Sequence, residues 1–296
     1  MSLTKEKKKL SSLLDILNYS ADLLKEKGIN DARLNVELML CEVLKCDRMK
    51  LYLDFEKPLS MAEITQFKQI LKRRLTNEPL QYILGKTNFY GYEIEVNKNV
   101  LIPRQETEIL VEKVLNDIIN SSKQFVNIFE IGAGSGCISI ALSGELTKKN
   151  IGHKIISIDK STEAVELANK NKELNNISNN LEFSVCDLFE FQNDSVRFDY
   201  IVSNPPYISE DEFKELDVEV RDFEPKIALT DFGDGLKFYK EIFRLKKERY
   251  TDAKVFCEMA YNQSGKIKNL VEQYGFKDYE IYKDLSGIDR VIEVVN

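Results

Sequence analysis

The segment most suggestive of chemistry is Ser-Asn-Pro-Pro-Tyr-Ile-Ser, which follows an apolar run that ends at Val202. Proline has no N–H, so the carbonyl groups before and between Pro205 and Pro206 are free of strand pairing and can face a ligand. Asn204 adds a side-chain oxygen acceptor. Two acceptors on one rigid turn can hold both hydrogens of a planar NH2 group, and the Tyr207 ring can stack on its plane. The segment predicts a clamp for an amide or amidine nitrogen; the alternative is a tight turn that only ends the strand.

A second signal is the glycine-rich stretch FEIGAGSGCISIAL, which begins at residue 129. Gly132, Gly134 and Gly136 leave room for a ligand against the backbone, and the helix that follows offers free N–H groups. Turns of this kind also occur only to pack a strand against a helix. Cys137 stands where a dinucleotide fingerprint requires its third glycine, so the G-x-G-x-G spacing disfavours NAD.

Two acidic residues follow at the ends of predicted strands. Asp159 ends the second strand, where a carboxylate can accept both hydroxyls of a ribose, and Asp187 ends the third, where it can accept from an adenine amino group. The alternative for both is a helix N-terminus, because Ser161 and Asp187 precede helix-like stretches. Together with the glycine loop, the acids predict an adenosine pocket at the carboxyl ends of adjacent strands.

These residues need a parallel sheet to bring them together. From residue 105 onward, long helical patterns alternate with short apolar strands, which predicts an α/β fold with helices on both faces of a mostly parallel sheet. The last two strand-like segments, FKDYEIYKDL and IDRVIEVV, are separated by a Ser-Gly turn, so we expect an antiparallel edge strand. Tyr92, Ile94 and Val96 alternate with polar residues and predict an earlier strand or hairpin.

The first 85 residues predict a small bundle of helices. Leucines recur at helical spacing from Leu10 to Leu24, and a second periodic run begins after Asp31. Ser60 starts a third helix with a capping-box pattern. We therefore expect a helical bundle at residues 1–85, a β-hairpin linker at 86–100 and a catalytic domain at 101–296.

Composition limits the class of partner. The chain has 296 residues, 43% hydrophobic and 31% charged, as in soluble globular proteins. No apolar run approaches the roughly 18 residues of a membrane span, and no apolar signal-peptide stretch follows the basic first residues, so we expect a cytoplasmic protein without a membrane partner. Residues 1–85 carry a net charge of +3 and the remainder −10. This acidic balance disfavours nucleic acid as the direct substrate.

The cysteine and histidine residues do not indicate a disulfide framework, a metal site or a histidine-based catalytic relay. The five cysteines are odd in number and lack C-x-x-C spacing, so we expect reduced thiols in the core. The single histidine, His153, leaves almost nothing from which to build a histidine metal site or a Ser-His relay. We expect His153 to be a surface residue that enters a strand.

Seven segments occur in order from about residue 78 to the C-terminus: EPLQYILGKTNFYG, VLIPRQETEILVEKV, FEIGAGSGCISIAL, FDYIVSNPPYI, VRDFEPKIAL, DGLKFYKEI and LSGIDRVIEV. The fourth resembles the N-P-P-Y motif of methyltransferases that act on nitrogens conjugated to π-systems. As a set they resemble the peptide chain release factor N5-glutamine methyltransferase family, PrmC/HemK. The helical first part is similar to that family by architecture more than by motif. Two positions depart from the family pattern, with Gln105 in place of proline and Ala260 in place of glycine.

This resemblance implies a cytoplasmic enzyme of translation termination that uses S-adenosylmethionine, leaves S-adenosylhomocysteine, and methylates the glutamine of the Gly-Gly-Gln tripeptide in class 1 release factors. It implies a Rossmann-like class I methyltransferase sheet preceded by a small all-α domain that recognises the release factor. The residues it assigns to the cofactor are Gly132, Ala133, Gly134, Ser135, Gly136, Asp159, Asp187, Leu188 and Asn204. Those it assigns to the substrate glutamine are Asn204, Pro205, Pro206 and Tyr207, with Pro103, Arg104 and Glu106 flanking the site.

Three alternatives remain open at this point. The same clamp could methylate a flipped adenine or cytosine in DNA, although the acidic balance and the lack of a large target-reading insertion argue against it. A non-enzymatic adaptor that binds a nucleotide or a translation factor would transfer no methyl group. A nicotinamide oxidoreductase is disfavoured by the glycine spacing and by the absence of an obvious hydride-relay residue.

Overall fold

A computed structural model describes residues 12–178, 180–193 and 195–295. Leu10, with which the first predicted helix begins, lies outside these ranges. Contacts between Cα atoms divide the chain into two units, one up to Leu84 and the other from Gly85 onward, so the hairpin belongs to the second unit. Among the described helices, none combines the length and the apolar character that a membrane crossing requires.

The described part of the first unit is helical. Its five helices are α1 (Leu13–Glu26), α2 (Ala32–Leu44), α3 (Arg48–Leu53), α4 (Met61–Arg74) and α5 (Leu80–Leu84). The predicted capping box of α4 is confirmed: the Ser60 hydroxyl accepts from the Glu63 N–H, and the Glu63 carboxylate accepts from the Ser60 N–H. Leucines of the predicted periodic runs, among them Leu17, Leu24 and Leu40, are fully buried and form the core of this unit.

The second unit contains a hairpin and a seven-stranded sheet. Its described strands are β1 (Lys86–Phe89), β2 (Tyr92–Glu95), β3 (Phe125–Ile131), β4 (Gly152–Asp159), β5 (Leu181–Val185), β6 (Tyr200–Ser203), β7 (Lys254–Glu258), β8 (Tyr279–Lys283) and β9 (Asp289–Val294). Its described helices are α6 (Thr107–Asn120), α7 (Cys137–Lys148), α8 (Thr162–Leu174), α9 (Glu210–Lys214), α10 (Val218–Arg221), α11 (Lys226–Leu229), α12 (Lys237–Glu248) and α13 (Ser264–Tyr274).

The strand order of the sheet is β5-β4-β3-β6-β7-β9-β8. Strands β3 to β7 pair in parallel, and β9 pairs antiparallel with both β7 and β8. The predicted fold class is confirmed, with β9, next to the edge strand β8, as the reversed strand. The strand order reverses direction between β3 and β6. From β3 the chain adds β4 and β5 on one side, and it then returns to the other side of β3 to add β6 and β7. Open α/β sheets bind ligands at the carboxyl ends of the strands beside such a switch point.

The surface position predicted for His153 is wrong. His153 is only 4% exposed. The ring Nδ1 lies 3.0 Å from the Ile151 carbonyl oxygen, and Nε2 lies 2.8 Å from the Ser143 hydroxyl oxygen and 2.6 Å from Asn180 Nδ2. Burial lowers the pKa of His153. The neighbouring glycine suggested a surface turn, but α7, which carries Ser143, packs against this end of β4.

Candidate active site

A cavity of about 260 Å³ opens at the switch point, at the carboxyl ends of β3 to β6. It is lined by eight of the residues predicted for the site, namely Gly132, Gly134, Asp159, Asp187, Leu188, Asn204, Pro205 and Pro206. The structure therefore brings together the glycine loop, both acids and the first part of the proline turn. Ala133, Ser135, Gly136, Tyr207 and the three predicted flanking residues are not among its lining residues.

The glycine loop serves both roles that its sequence allowed. A Cβ added at Gly134 would meet no atom within 4 Å, and one at Gly132 would lie 3.9 Å from the Asn204 carbonyl oxygen, so both positions leave room for a ligand. At Gly136, with a φ of +80°, a Cβ would lie 2.8 Å from the Phe183 ring and 3.0 Å from the Ala168 Cβ. Gly136 therefore packs β3 and α7 against α8 and β5, whereas the first two glycines face the cavity.

Asp159 joins the glycine loop to the start of α8. Its Oδ2 accepts from the Gly134 N–H at 2.8 Å, and its Oδ1 accepts from the Ser161 N–H at 2.9 Å. Burial raises the pKa of Asp159, and these two backbone N–H groups act in the opposite direction. Each carboxylate oxygen keeps a second lone pair, so Asp159 is still able to accept hydroxyl groups of a ligand in the cavity.

Asp187 caps a short helical turn and also lines the cavity. Its Oδ1 accepts from the Phe189 N–H at 3.1 Å, at the start of the 3-10 turn Leu188–Glu190. Its Oδ2 accepts from Lys160 Nζ at 2.7 Å, and this bond lowers the pKa of Asp187. Asp187 therefore does cap a helical turn, which was the alternative interpretation of its sequence position. It also lines the cavity, so its ionised carboxylate is available there to a ligand.

The Asn204 side chain is fixed by its nitrogen. Asn204 Nδ2 donates to Thr107 Oγ1 at 3.1 Å, and Thr107 is the first residue of α6. Asn204 is half-buried and lines the cavity, whereas Thr107 is only 2% exposed. Because Nδ2 is engaged by the protein, Oδ1 is the atom left to meet a ligand.

The Tyr207 carbonyl and hydroxyl are held by residues at the end of β7 and just beyond it. The Tyr207 carbonyl accepts from Gln263 Nε2 at 2.6 Å, and its hydroxyl donates to Glu258 Oε1 at 3.2 Å. A Cβ at Gly235 would lie 2.3 Å from the Tyr207 carbonyl oxygen, so the chain there passes directly over the proline turn. The Tyr207 ring packs against the core of the unit. Its stacking on a substrate stays a prediction.

None of the three predicted flanking residues lines the cavity, and one of them, Arg104, pairs with a residue close to its wall. Arg104 forms an ion pair with Glu224, and Glu224 also accepts from the Ile102 N–H at 3.2 Å. Glu224 is followed by Pro225 and then by α11, which contributes Ile227 and Ala228 to the lining. Glu106 is exposed, with Arg290 at 4.0 Å, and Pro103 is half-buried.

Sequence reasoning missed the residues behind the clamp. Glu258 ends β7, is 2% exposed, and its Oε2 has no hydrogen-bond partner among the described residues. Burial raises the pKa of Glu258 to about 7, and the hydroxyls of Thr107 and Tyr207 act in the opposite direction. The available sign was a charged residue that ends an otherwise apolar strand, AKVFCEM, next to β6, whose end was already assigned to the site.

Comparison with known families and proteins gives consistent matches. Residues 15–85 match the PrmC N-terminal domain, and residues 122–278 match a methyltransferase domain. A protein of Fusobacterium nucleatum named release factor glutamine methyltransferase is 39% identical over 281 residues, which cover 94% of this chain and 77% of that protein. A protein of the same name from Geobacter sulfurreducens is 36% identical over 97% of this chain and 98% of its own length.

Other matches are partial or more distant. A bifunctional methyltransferase of Rickettsia prowazekii is 36% identical over 96% of this chain, which spans 57% of that protein. Among solved structures, the catalytic domain of human METTL16 in complex with an RNA hairpin superposes with a TM-score of 0.55 at 16% identity, covering 70% of this chain and 76% of the other. At that identity, the structural match supports the fold alone.

Proposed function

The chain belongs to the release factor glutamine methyltransferase family, and on that premise we propose that it methylates the side-chain amide nitrogen of a glutamine in class 1 peptide chain release factors. The glutamine we propose is that of the Gly-Gly-Gln tripeptide. The chain is an S-adenosylmethionine-dependent methyltransferase, as its methyltransferase domain and its family indicate. The proposal adds the atom that is methylated and the residues that hold it.

The lining of the cavity fits this cofactor. Gly132 and Gly134 leave open backbone where a methionine tail would lie. Asp159 offers carboxylate lone pairs for the ribose, and Asp187 is an ionised acceptor for the adenine amino group. Leu188, Phe189 and Phe238 supply apolar surface for the adenine ring. S-adenosylmethionine, when bound, supplies a methyl group that is activated by the positive charge of its sulfonium.

The single observation that carries the proposal is the orientation of the Asn204 side chain. Because Thr107 engages Nδ2, Asn204 presents a carbonyl oxygen beside the proline turn. Two acceptors in one place, Asn204 Oδ1 and a carbonyl of the turn, match the two hydrogens of a primary amide. The acidic balance of the catalytic unit favours a protein glutamine over a nucleic-acid base at this position.

These residues would favour methyl transfer mainly by alignment. A primary amide nitrogen is a poor nucleophile because its lone pair is delocalised. As the nitrogen gains positive charge, its N–H groups donate more strongly to Asn204 Oδ1 and to the turn carbonyl, which stabilises the transition state more than the ground state. Alignment of the reacting groups can contribute roughly 7 to 11 kcal/mol in the best cases, so this step needs no general base. The extra proton leaves the nitrogen after transfer.

The proposal is tested with purified protein, radiolabelled S-adenosylmethionine and three acceptors. The acceptors are a class 1 release factor, the same factor with its Gly-Gly-Gln glutamine changed to alanine, and double-stranded DNA. We expect label in the first acceptor only, on one glutamine side chain located by mass spectrometry. Equal labelling of both release factors would refute the proposed glutamine, and labelling of DNA alone would refute the substrate class.

Changing Asp159 to asparagine should weaken cofactor binding. The substitution keeps the size of the side chain but removes its charge and places an NH2 group against a backbone N–H of Gly134 or Ser161. Hydrogen bonds to charged groups contribute about 1.5 to 3 kcal/mol, so the Kd for S-adenosylmethionine should rise roughly 10- to 100-fold. Calorimetric titration measures the change. An unaltered Kd in the folded variant would exclude Asp159 from the cofactor site.

A further inference from the structure

We propose that Phe232 is a specificity-determining residue, whose ring packs on the substrate main chain beside the methylated glutamine and selects glycine at the neighbouring position. The inference rests on the proposed function, because it concerns the substrate of that same site. Phe232 lines the cavity, yet the residue is 54% exposed. An exposed aromatic ring that continues the wall of a binding cavity can anchor a partner that docks there.

The backbone of Phe232 is fixed beside the amide clamp. Segment 229–235, which carries Phe232, runs next to the chain that leaves the proline turn. Two backbone hydrogen bonds join them, from the Ile208 N–H to the Leu229 carbonyl at 3.0 Å and from the Glu210 N–H to the Gly233 carbonyl at 3.1 Å. Phe232 lies between these two anchor points, so its position follows that of the clamp.

These anchor points place Phe232 on the substrate side of the cavity. The glycine loop and Asp159 lie at the carboxyl ends of β3 and β4, and Asp187 follows β5. The proline turn follows β6, which lies on the opposite side of β3 from β4 and β5. Segment 229–235 is joined to the chain just beyond that turn, so the Phe232 ring belongs with the clamp rather than with the cofactor residues.

The backbone of Phe232 is strained. Its φ is +60°, a left-handed conformation that is unfavourable for a bulky side chain and that glycine adopts readily. The Thr230 hydroxyl accepts from the Phe232 N–H at 3.0 Å, and the buried Asp231 carboxylate accepts from three backbone N–H groups of residues 233–237. Strained residues persist where such contacts over-determine them, and they cluster at ligand-binding sites. The fold thus holds an aromatic ring where glycine would suit the backbone better.

A cation steadies the Phe232 ring and leaves much of it uncovered. Lys226 Nζ lies 5.1 Å from the centroid of the Phe232 ring and 4.8 Å from that of the Phe213 ring. Cations over aromatic faces are attracted to them. The exposed part of the Phe232 ring can pack on a flat peptide group. Glycine has no Cβ, so its main chain can approach the ring closely, whereas a larger residue would hold the substrate chain away.

The first test measures the effect of removing the ring. Phe232→Ala should raise the KM for the release factor about tenfold, because truncation of an aromatic anchor weakens docking. The kcat and the Kd for S-adenosylmethionine should change less than about threefold, since the contact is made before and during transfer alike. Phe232→Tyr keeps the ring and should retain the wild-type KM. A Kd for the cofactor that rises as much as the KM would assign the ring to the cofactor and overturn the proposal.

Phe125→Ala is the matched control for the loss of an exposed ring. Phe125 is 55% exposed and is the first residue of β3, at the opposite end of that strand from the cavity. The substitution should leave the KM for the release factor unchanged. An equal rise in KM in Phe125→Ala and Phe232→Ala would show a general effect of ring removal and would count against Phe232.

Phe232→Gly distinguishes this role from a structural one. Alanine and glycine both remove the ring, but alanine keeps a Cβ in the left-handed conformation. Phe232→Gly should therefore unfold at a higher urea concentration than Phe232→Ala and show the same raised KM. A return of KM to the wild-type value in Phe232→Gly would mean that backbone strain, and not loss of the ring, impairs Phe232→Ala, and the proposal would be wrong.

A double-mutant cycle tests the selection of glycine. The second partner is a release factor in which the glycine directly before the methylated glutamine is changed to alanine. This change should raise KM about tenfold with the wild-type protein and less than about threefold with Phe232→Ala, because groups in contact show non-additive effects. Equal rises with both proteins would show that the ring and this glycine do not meet.

Failure of the inference is distinguishable from failure of the proposed function. If the wild-type protein methylates no release factor, the proposed function is lost. If the wild type is active and folded Phe232→Ala has the wild-type KM, the role of Phe232 is wrong while the function stands.

Discussion

Replacing Asn204 with alanine should lower the turnover of methyl transfer by about 10²-fold or more. The substitution removes Oδ1, one of two acceptors proposed to hold the substrate amide. That acceptor contributes most when positive charge develops on the nitrogen, so its loss should appear in kcat more than in the KM for the release factor. Single-turnover transfer of a labelled methyl group to a release factor measures the step directly.

A control variant and a measurement of cofactor affinity distinguish loss of the amide clamp from general damage to the protein. Asn116→Ala removes an amide from the exposed face of α6, in the same unit, and should leave turnover unchanged. Cofactor affinity, measured by calorimetry, separates a damaged clamp from a damaged cofactor pocket. Wild-type turnover in a folded Asn204→Ala protein would show that the amide is held by other atoms.

Replacing Gly235 with alanine should both destabilise the protein and impair the site. Gly235 has a φ of +78°, where a side chain costs about 1 to 2 kcal/mol. Its Cβ would also lie 2.3 Å from the Tyr207 carbonyl oxygen and 2.8 Å from Gln263 Nε2, and overpacking of this kind costs about 1 to 3 kcal/mol. We expect the free energy of unfolding to fall by roughly 2 to 5 kcal/mol.

The same substitution should displace the proline turn. Because a misplacement of about 1 Å can cost 10²-fold in rate, methyl transfer should fall by about that factor even where the protein remains folded. Gly287→Ala is the matched control, since Gly287 has a φ of +79° and no atom within 4 Å of the added Cβ. It should show the backbone cost alone, with normal activity. Urea denaturation and methyl-transfer assays on both variants separate the cost of a positive φ, which the two share, from the cost of the clash with Tyr207, which only Gly235→Ala has.

The strands and the cavity could be predicted because local patterns encode them. The stretch FVNIFEI corresponds to β3 at both ends, and the alternation of strands and helices fixed the parallel sheet. Strand-end residues such as Asp159 and Asp187 lie together because parallel strands end at one edge of a sheet. Here sequence position alone determines spatial position.

The support behind the clamp could not be predicted, because it depends on contacts between distant parts of the chain. Thr107 meets Asn204 across 97 positions, and Gln263 meets Tyr207 across 56. No local pattern distinguishes Thr107 from any other threonine at a helix start. The buried position of His153 was missed for a different reason: the helix just before β4, α7, folds back over it, and the residue types around His153 do not encode that packing.

These distant contacts bear on how the protein becomes active as it folds. The proline turn is held by α6 before it in the chain and by Gly235, Glu258 and Gln263 after it, so a fragment must span residues 107–263 to contain the complete clamp. Contacts of large sequence separation form late, because closing long loops costs entropy first. Catalytic competence should therefore be the last property to return during refolding, after helical circular dichroism has recovered. Methyl transfer sampled along a refolding time course would reveal the lag.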